Sequence, residues 1–375
     1  MRKKGNKVKI LLTVPSLSGK GGVSSYYKAI FPYLKKLTKL EYLEIGSACG
    51  RKLNFIFDQL FFCKKVKNKS IELVHINPSL YPKNFLRDGF FAWQAKKRKK
   101  RLLVFFHGWN RNFENKIDNS PVLRKFFWYT FGKADAFIVL ASGFKNKLRE
   151  WGITVPIYLE TTAVDDKLIE GFDIQKKLKA FSGGDVINFL FLARLEKEKG
   201  IIETIDIFDI LKRKGIRIKL IIAGDGSYKK EVLEKINKSP YRDEIEYVGY
   251  VKSEEKKEVF KKAHIYIFPT YYGEGLPTSV LEAMCFGCFV VTTDMGGLKD
   301  LWKKHKWGIQ IKTEDVKNGR LLNLINLLQE ILIKKNREFI INTMKKNYLF
   351  GINNFLASKV SLRLKEIYNK IIEKS

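Results

Sequence analysis

Two carboxylates, Glu274 and Glu282, are separated by seven residues in the stretch GEGLPTSVLE at 273–282. Glycines let the backbone approach a ligand closely, and Pro277 suits the first turn of a helix. A helix that begins there and runs through Glu282 would present unpaired N–H groups and a positive dipole end to an anion. Carboxylates accept hydrogen bonds from the vicinal hydroxyls of sugars and ribose. The pattern therefore indicates a phosphorylated sugar ligand, with a surface loop carrying two solvated acids as the alternative.

Two cations, Arg194 and Lys199, flank a short turn in the stretch ARLEKEKG at 193–200. The turn follows a predicted strand, Ile187–Ala193, and precedes a predicted helix. Two cations at the carboxyl end of a parallel strand can hold a diphosphate. Taken alone the signal is weak, because charge runs more often form solvated surfaces.

Two further signals follow strands in the first half of the chain. The loop SGKGGVSS at 18–25 places Gly21 and Gly22 between the first strand and the first helix, but it matches neither the P-loop nor the GxGxxG pattern. We interpret it as a glycine turn that brings backbone close to a ligand. His107 ends another predicted strand and precedes Gly108. A structural role and a catalytic role both remain possible for this histidine.

Short apolar runs rich in β-branched and aromatic residues alternate with helical segments along the chain. This alternation predicts parallel sheets covered by helices on both faces. The predicted strands of the first half are Lys9–Val14, Glu41–Ile45, Leu73–Asn77, Leu102–His107, Ala136–Leu140 and Ile157–Leu159. Those of the second half are Ile187–Ala193, Ile218–Ala223, Ile245–Val248, Ile265–Phe268, Phe289–Thr293 and Gly308–Ile311.

The two series of strands predict two doubly wound α/β domains. A polar stretch at 160–184 suggests the boundary, so we expect an N-terminal domain at 1–165 and a C-terminal, ligand-binding domain at 166–356. A final amphipathic helix at about 357–375 carries Val360, Leu364, Ile367 and Ile371 on one face. We expect it to pack back on the N-terminal domain.

These motifs resemble those of the retaining glycosyltransferases of family 4. Glu274 and Glu282 are similar to that family's E-x7-E pair, and the stretch from Arg194 to Gly200 is similar to its R-x4-K-G segment. The order of the other elements agrees as well: a glycine loop, a histidine after the fourth strand, and Gly224-Asp225-Gly226 after the second strand of the C-terminal half. The resemblance covers nearly the whole chain and is strongest over 187–300.

The resemblance implies the GT-B fold, in which two doubly wound Rossmann-like domains face each other across a cleft. It implies that Glu274 holds hydroxyls of the donor sugar, that Glu282 holds the ribose, and that His107 contacts the sugar near the reacting carbon. Arg194 and Lys199 would bind the diphosphate. The remaining donor contacts would come from backbone, at Gly21, Gly22, Gly249, Tyr250, Val251, Gly275, Leu276 and Thr278.

The resemblance also implies the reaction: a hexosyl group moves from a nucleoside-diphosphate sugar to an acceptor with retention of configuration. We expect no metal, because no Asp-x-Asp motif follows a strand, and no cofactor beyond the donor substrate. The lone CxxC at 285–288 is interpreted as two buried residues in a helix-to-strand turn. We expect a glycan or lipid-linked acceptor, in the synthesis of surface polysaccharide or glycolipid. A GT-B sugar-nucleotide epimerase remains an alternative.

The net charge is +32, of which residues 1–165 contribute +21. Such an excess suggests a polyanionic partner, although a compositional bias toward lysine would produce it too. A nucleic-acid-binding protein is the alternative from a different class, but no recognised nucleic-acid module is present, and we expect no such partner. Aromatics and six consecutive basic residues at 90–101 suggest an anionic membrane surface instead, with a solvated charge run beside aromatics packed in the core as the alternative. With no export signal or apolar run of about 18 residues, we expect a cytoplasmic protein, peripheral on the inner face of the membrane.

Overall fold

The computed structural model describes residues 9–19, 21–46, 54–273, 275–333 and 336–373. Contacts divide the chain into two compact units. The first comprises the residues up to Ala163, the segment Gly273–Leu276 and the stretch from Ala357 onward. The second comprises Val164–Tyr272 and Pro277–Leu356.

The first unit is built on a parallel sheet covered by helices. Its strands are β1 Lys9–Pro15, β2 Lys39–Ile45, β3 Leu73–Ile76, β4 Ser79–Leu80, β5 Arg101–Phe106, β6 Gly108–Trp109, β7 Ala136–Val139 and β8 Ile157–Leu159. Its helices in this part of the chain are α1 Gly22–Leu37, α2 Asn54–Val66, α3 Pro82–Lys97, α4 Arg111–Asp118, α5 Pro121–Tyr129 and α6 Ser142–Glu150. The sheet order is β2-β1-β3-β5-β7-β8, and β4 pairs with β6 separately. β3 and β7 are buried along their whole length, which is why neither alternates between apolar and exposed polar residues; β3 carries one buried polar residue, His75.

The second unit repeats this architecture. Its strands are β9 Ile187–Leu192, β10 Ile218–Ala223, β11 Ile245–Gly249, β12 Ile265–Phe268, β13 Phe289–Thr293 and β14 Gly308–Ile311. Its helices are α7 Asp166–Ile169, α8 Ile174–Gly183, α9 Ile201–Arg213, α10 Lys229–Lys238, α11 Ser253–Lys262, α12 Thr278–Cys285, α13 Gly297–Lys304, α14 Thr313–Lys317, α15 Leu322–Leu332 and α16 Arg337–Asn354. The parallel sheet has the order β11-β10-β9-β12-β13-β14.

The last helix, α17 Ala357–Glu373, belongs to the first unit. The apolar face predicted from the sequence is confirmed, since Val360, Leu364, Ile367 and Ile371 are all buried. α17 packs against α1, and the hydroxyl of Tyr368 lies 2.8 Å from His75 Nδ1 in the core.

In each sheet the strand order reverses once. The reversal lies between β1 and β3 in the first unit and between β9 and β12 in the second. Ligands of open parallel sheets bind beyond the carboxyl ends of the strands at such a reversal. The residues after β9 and β12 are therefore the first place to look for a site in the second unit, and those after β1 and β3 in the first.

Buried histidines make the stability of both units depend on pH. Burial lowers the pKa of His75 and of His264 from 6.5 to about 3. The unfolded chain binds a proton at each histidine near pH 6.5, and the folded chain does not. The contribution of each neutral histidine to the free energy of unfolding is therefore fully present above that pH and is lost as the pH falls toward 3.

We predict that each of these histidines contributes a slope of about 1.4 kcal/mol per pH unit to the free energy of unfolding between about pH 6 and pH 4. Urea unfolding across that range should show it. His75→Gln should reduce the slope for the first unit by about that amount, and His264→Gln should do the same for the second; the other histidines whose pKa is lowered, His107 and His305, keep their own contributions. Unchanged slopes in both variants would contradict the prediction.

Candidate functional site

At the strand reversal of the second unit, one carbonyl joins the segments that follow β9 and β12. The backbone oxygen of Glu198 accepts hydrogen bonds from the N–H groups of Tyr271 and Tyr272, at 2.9 and 3.0 Å, and from the Thr270 hydroxyl at 3.2 Å. Three donors on one acceptor fix the 194–200 turn, which ends in a 3₁₀ turn at Lys197–Lys199, against the segment at 270–272. The cation-bearing turn is thereby held beside the segment that leads into the predicted donor loop.

Gly200 is required by this close approach. Its φ is +82°, and a Cβ there would lie 2.3 Å from the carbonyl oxygen of Pro269. The left-handed conformation and the contact together exclude every side chain, which gives a physical reason for a glycine after Lys199.

Two glycines just after β10, Gly224 and Gly226, likewise allow a close backbone approach, here to the residues that follow β9. A Cβ on Gly224 would lie 1.9 Å from Ala193 O, and one on Gly226 would lie 2.3 Å from Leu195 O. Leu195 N donates to Asp225 O at 3.1 Å, so the loop at 224–226 packs directly on the start of the 194–200 turn. The backbone of the turn that bears Arg194 is thus hydrogen-bonded to two neighbouring segments, 224–226 and 270–272.

The two cations have different surroundings. Lys199 is buried, and its ammonium group lies 4.0 Å from the centroid of the Tyr272 ring, a cation–π contact. Arg194 is exposed, and its guanidinium pairs with the Glu196 carboxylate at 2.8 Å. A diphosphate at this edge would find one cation fixed in place and one that can turn toward it from the surface.

The helix that follows the predicted donor loop begins without a capping side chain. α12 has Pro277 at its N-cap position, and no side-chain hydrogen bond closes its first turn. Ser279 in that turn hydrogen-bonds at 2.7 Å to the hydroxyl of Tyr266, which also donates to Leu192 O at 3.0 Å. The helix is therefore tied to the end of β9, and no side chain of the described residues caps its first N–H groups, an arrangement that suits an anion.

Glu282 lies one turn further into α12 and is buried. One of its carboxylate oxygens pairs with the ammonium of Lys256 on α11. The other, Oε2, is buried and has no hydrogen-bond donor among the described residues. A buried carboxylate oxygen of this kind needs a donor, and a ligand hydroxyl would supply one.

The other predicted donor contacts are divided between the two units. Glu274 lies outside the described residues. The neighbouring segment Gly273–Leu276 groups with the first unit, where a Cβ on Gly275 would lie 3.1 Å from the Leu140 side chain. Thr278 is the first residue of α12.

Gly249 ends β11, and Tyr250 and Val251 follow it at the same edge of the second unit's sheet. Gly249 has a φ of +70° and accepts a hydrogen bond from Gly224 N, which ties this end of β11 to β10. Tyr250 is 58% exposed. An exposed aromatic beside this edge offers a surface on which a planar base could stack.

In the first unit, a polar cluster forms where β3 and β5 end. The side-chain oxygen of Asn77 accepts hydrogen bonds from the Tyr27 hydroxyl at 2.5 Å and from His107 Nε2 at 3.0 Å. Asn77 Nδ2 donates to Thr13 O at 2.6 Å, which fixes the orientation of the amide. Because the amide oxygen can only accept, Nε2 carries the proton and Nδ1 of His107 is the acceptor.

His107 is kept neutral by its surroundings. Burial, and then the neighbouring His75, lower the pKa of His107 well below its ordinary value. Its ring stacks on Phe105 at a centroid distance of 3.7 Å. A neutral imidazole held this way can donate or accept a hydrogen bond but does not supply a positive charge near neutral pH.

Gly21 and Gly22 lie at the start of α1, also at the strand reversal of the first unit. No atom lies within 4 Å of the position that a Cβ would take at either glycine. The backbone there is open to an approaching ligand, and α1 has no acidic residue in its first turn.

Several of these residues were not predicted from the sequence. Tyr272, which covers Lys199, and Lys256, which pairs with Glu282, belong to no motif. Asn77 was taken as the last residue of a strand; its polar side chain directly after an apolar run was a usable signal. Glu203 on α9 is a further case: burial raises its pKa, and it hydrogen-bonds to Tyr271 while its Oε2 has no hydrogen-bond partner in the part of the chain that the structure describes.

No cluster of three or more potential metal-ligating side chains occurs among the described residues. Cys285 and Cys288 are buried thiols that form no disulfide bond, at the end of α12 and just before β13. None of the described helices is both long and apolar enough to cross a membrane.

Comparison with known proteins identifies the class of enzyme. The family model for glycosyl transferases group 1 matches residues 173–346, the part of the chain that holds this edge of the second sheet. An uncharacterized glycosyltransferase of Methanocaldococcus jannaschii is 28% identical over 302 residues, covering 76% of this chain and 71% of the relative. The protein is a glycosyltransferase.

Another curated relative and a solved structure extend the comparison. The amylovoran biosynthesis glycosyltransferase of Erwinia amylovora is 29% identical over 120 residues, and the match covers 31% of this chain and only 30% of the relative. The crystal structure of Anabaena HepE in complex with UDP and glucose has a TM-score of 0.67 at 15% identity, and the match covers 96% of this chain and 99% of that one. The glycosyltransferase thus has the two Rossmann-like domains of the GT-B fold.

We predict that Gly200→Ala damages the glycosyltransferase far more than Gly215→Ala. The two glycines have φ values of +82° and +81°, but no atom lies within 4 Å of the Cβ position at Gly215. The backbone conformation alone should therefore cost each variant about 1–2 kcal/mol. Gly200→Ala must also displace Pro269, so it should lose at least twice as much stability in urea unfolding, and more than tenfold in sugar-transfer activity. Equal losses in the two variants would contradict the account of the turn.

Proposed function

We propose that this glycosyltransferase transfers a hexosyl group, with retention of configuration, from a nucleoside-diphosphate sugar bound at the carboxyl edge of the second unit's sheet. The observation that carries the proposal is the combination at one strand reversal of Lys199, Arg194, the uncapped start of α12 and the unpartnered oxygen of Glu282. Retention rests on the resemblance to family 4, and the anomeric coupling of the product, measured by NMR, tests it.

The charge that develops on the leaving diphosphate is the main electrostatic demand of this reaction. Lys199, Arg194 and the N–H groups that begin α12 are the donors we assign to it, with backbone from Gly275, Leu276 and Thr278. Donors that are already fixed need no rearrangement when the charge appears, which is what makes them effective in a site with little water. Lys199 meets this condition best because its turn is hydrogen-bonded to the segment at 270–272.

The donor's hydroxyl groups are assigned to the carboxylates. In this proposal Glu282 Oε2 accepts a hydrogen bond from a ribose hydroxyl, while Lys256 holds the other oxygen and fixes the carboxylate. Glu274 is assigned the hydroxyls of the transferred sugar. The base is assigned to the backbone at 249–251, with the exposed ring of Tyr250 beside it.

The roles of the first-unit residues rest on the resemblance. His107 would contact the transferred sugar near its reacting carbon, as a neutral hydrogen-bonding group. Gly21 and Gly22 would contact the diphosphate through their open backbone. The acceptor hydroxyl would attack from the face of the leaving group and pass its proton to a phosphate oxygen.

We further propose that the reaction needs neither a metal ion nor a cofactor, and that the acceptor is a glycan or a lipid-linked sugar. Two cations and a helix N-terminus supply the positive charge for which a divalent ion would otherwise serve. The solved HepE structure holds UDP and glucose, which agrees with a nucleotide-sugar donor. The relative from Erwinia is named for amylovoran biosynthesis, which agrees with a polysaccharide acceptor.

We predict that Lys199→Ala and Glu274→Ala each lower kcat/KM for the donor at least about tenfold, because removing one charge-stabilising contact in an enclosed site costs roughly 2–4 kcal/mol. Lys197→Ala is the matched control: Lys197 lies in the same turn but is exposed, and its variant should retain activity within about twofold.

The assay is sugar transfer from a panel of UDP-, GDP- and ADP-sugars, followed by mass spectrometry. Full activity of both the Lys199 and Glu274 variants would overturn the assignment. A product that is an epimer of the donor sugar, formed without acceptor, would show a sugar-nucleotide epimerase instead.

A further inference from the structure

Two neighbouring helices of the first unit leave large apolar side chains exposed on their outer faces. On α3, Leu86, Phe90 and Trp93 follow one another at helical spacing and are 43%, 42% and 45% exposed. On α2, Ile56 and Leu60 are 55% and 60% exposed. The opposite faces of both helices are buried in the core, so these outer residues are not needed to attach the helices to the sheet.

The two outer faces form one surface. The helices pack through a stacked pair of rings, Phe62 and Phe91, at 4.5 Å. Nearer the surface, the rings of Phe55 on α2 and Phe90 on α3 lie 6.1 Å apart. We call the exposed apolar set the α2–α3 patch; it consists of Phe55, Ile56, Leu60, Phe61, Leu86, Phe90 and Trp93.

Only positive charge accompanies the patch. Lys83 and Lys97 continue the exposed stripe of α3 at its two ends, and Lys64 continues that of α2. The ammonium of Lys97 lies 5.0 Å from the Trp93 ring. Across α2, α3 and α5, all of which lie within the described residues, the acidic side chains are Asp58 and Asp88, and both are buried.

The basic run at 96–101 contributes less to this surface than the sequence suggested, because much of it is used inside the fold. Lys96 pairs with Asp135 at 2.9 Å, and Arg98 donates to Gln94 O. Lys100 and Arg101 donate to the backbone oxygens of Ile71 and Ile371, at 2.8 and 2.7 Å. Phe91 and Ala92 are core residues, as the alternative interpretation of this segment expected, whereas docking of the protein on a membrane stays a prediction.

We propose that the α2–α3 patch docks the protein on an anionic lipid bilayer. The apolar side chains would enter the boundary between headgroups and acyl chains, and Lys64, Lys83 and Lys97 would lie at the level of the anionic headgroups. The apolar centre and the cationic rim of the patch together match an anionic bilayer. Two copies of the patch facing each other would bring like charges together, and the apolar centre does not suit nucleic acid.

This surface is independent of the donor site. It goes beyond the proposed function and does not rest on it, since vesicle binding needs neither donor nor acceptor. If the proposed function and the docking proposal both hold, docking would bring the enzyme to acceptors that are anchored in the membrane.

The test is co-sedimentation of the full chain with vesicles at about 0.1 M salt. One set contains phosphatidylcholine alone, and the other contains about one third phosphatidylglycerol. The patch variant is Leu60→Gln with Trp93→Gln, and the rim variant is Lys64→Gln, Lys83→Gln and Lys97→Gln together. Control variants in the second unit carry matched changes at exposed positions: Leu322→Gln with Phe339→Gln, and Lys179→Gln, Lys219→Gln and Lys238→Gln together.

The wild type should bind the anionic vesicles and not those of phosphatidylcholine alone. Each lysine near an anionic surface contributes a factor of about five, so the rim variant should bind about a hundredfold more weakly. The patch variant should lose at least tenfold, both control variants should bind like the wild type, and all should unfold at the same temperature.

Three results would overturn the proposal. The wild type could fail to bind the anionic vesicles. The control lysine variant could lose as much binding as the rim variant, which would show attraction by net charge without a surface. Light scattering could show a dimer that the patch variant alone dissociates, which would assign the patch to a second copy of the chain.

Discussion

The backbone carbonyl of Glu198 is the contact on which the organisation of the second unit's edge depends. It accepts three hydrogen bonds from the segment at 270–272, and the approach that makes them possible requires glycine at position 200. These bonds hold Lys199 beneath the ring of Tyr272 and fix the backbone that leads into the predicted donor loop. A flexible lysine on the surface would have to be ordered each time a ligand bound, whereas this one is held before the ligand arrives.

The strands of both sheets could be predicted from the sequence, because a buried parallel strand must be a continuous apolar run between turn residues. The structure confirms all twelve, and within the described residues it adds only the two-residue strands β4 and β6, which are too short to leave a pattern. The cations after β9 were also visible as a motif. Two contacts could not be predicted: the ion pair of Lys256 with Glu282 and the packing of the Tyr272 ring on Lys199. Each joins residues that are far apart in the chain or that have no distinctive spacing.

Charge shows the same limit of sequence-based reasoning. The excess of +21 in residues 1–165 was evident, but composition does not tell which side chains are already engaged. Lys96 and Lys100 hold the end of α3 and the start of β5 in place, while Lys83 and Lys97 stand at the ends of an exposed apolar stripe. The distribution of partners, rather than the length of the basic run, therefore distinguishes a structural lysine from one available to a membrane.

The central claim is that the edge of the second unit binds a diphosphate through charge held in place by the 194–200 turn. Calorimetric titration with UDP, GDP and ADP and with the matching monophosphates, in the presence of EDTA, tests it most directly. The account predicts that one diphosphate binds at least about tenfold more tightly than its monophosphate, the effect of one well-placed charged contact, and that Lys199→Met removes the difference. Equal affinities for the diphosphate and the monophosphate in the wild type, or binding that appears only when a divalent metal is added, would contradict it.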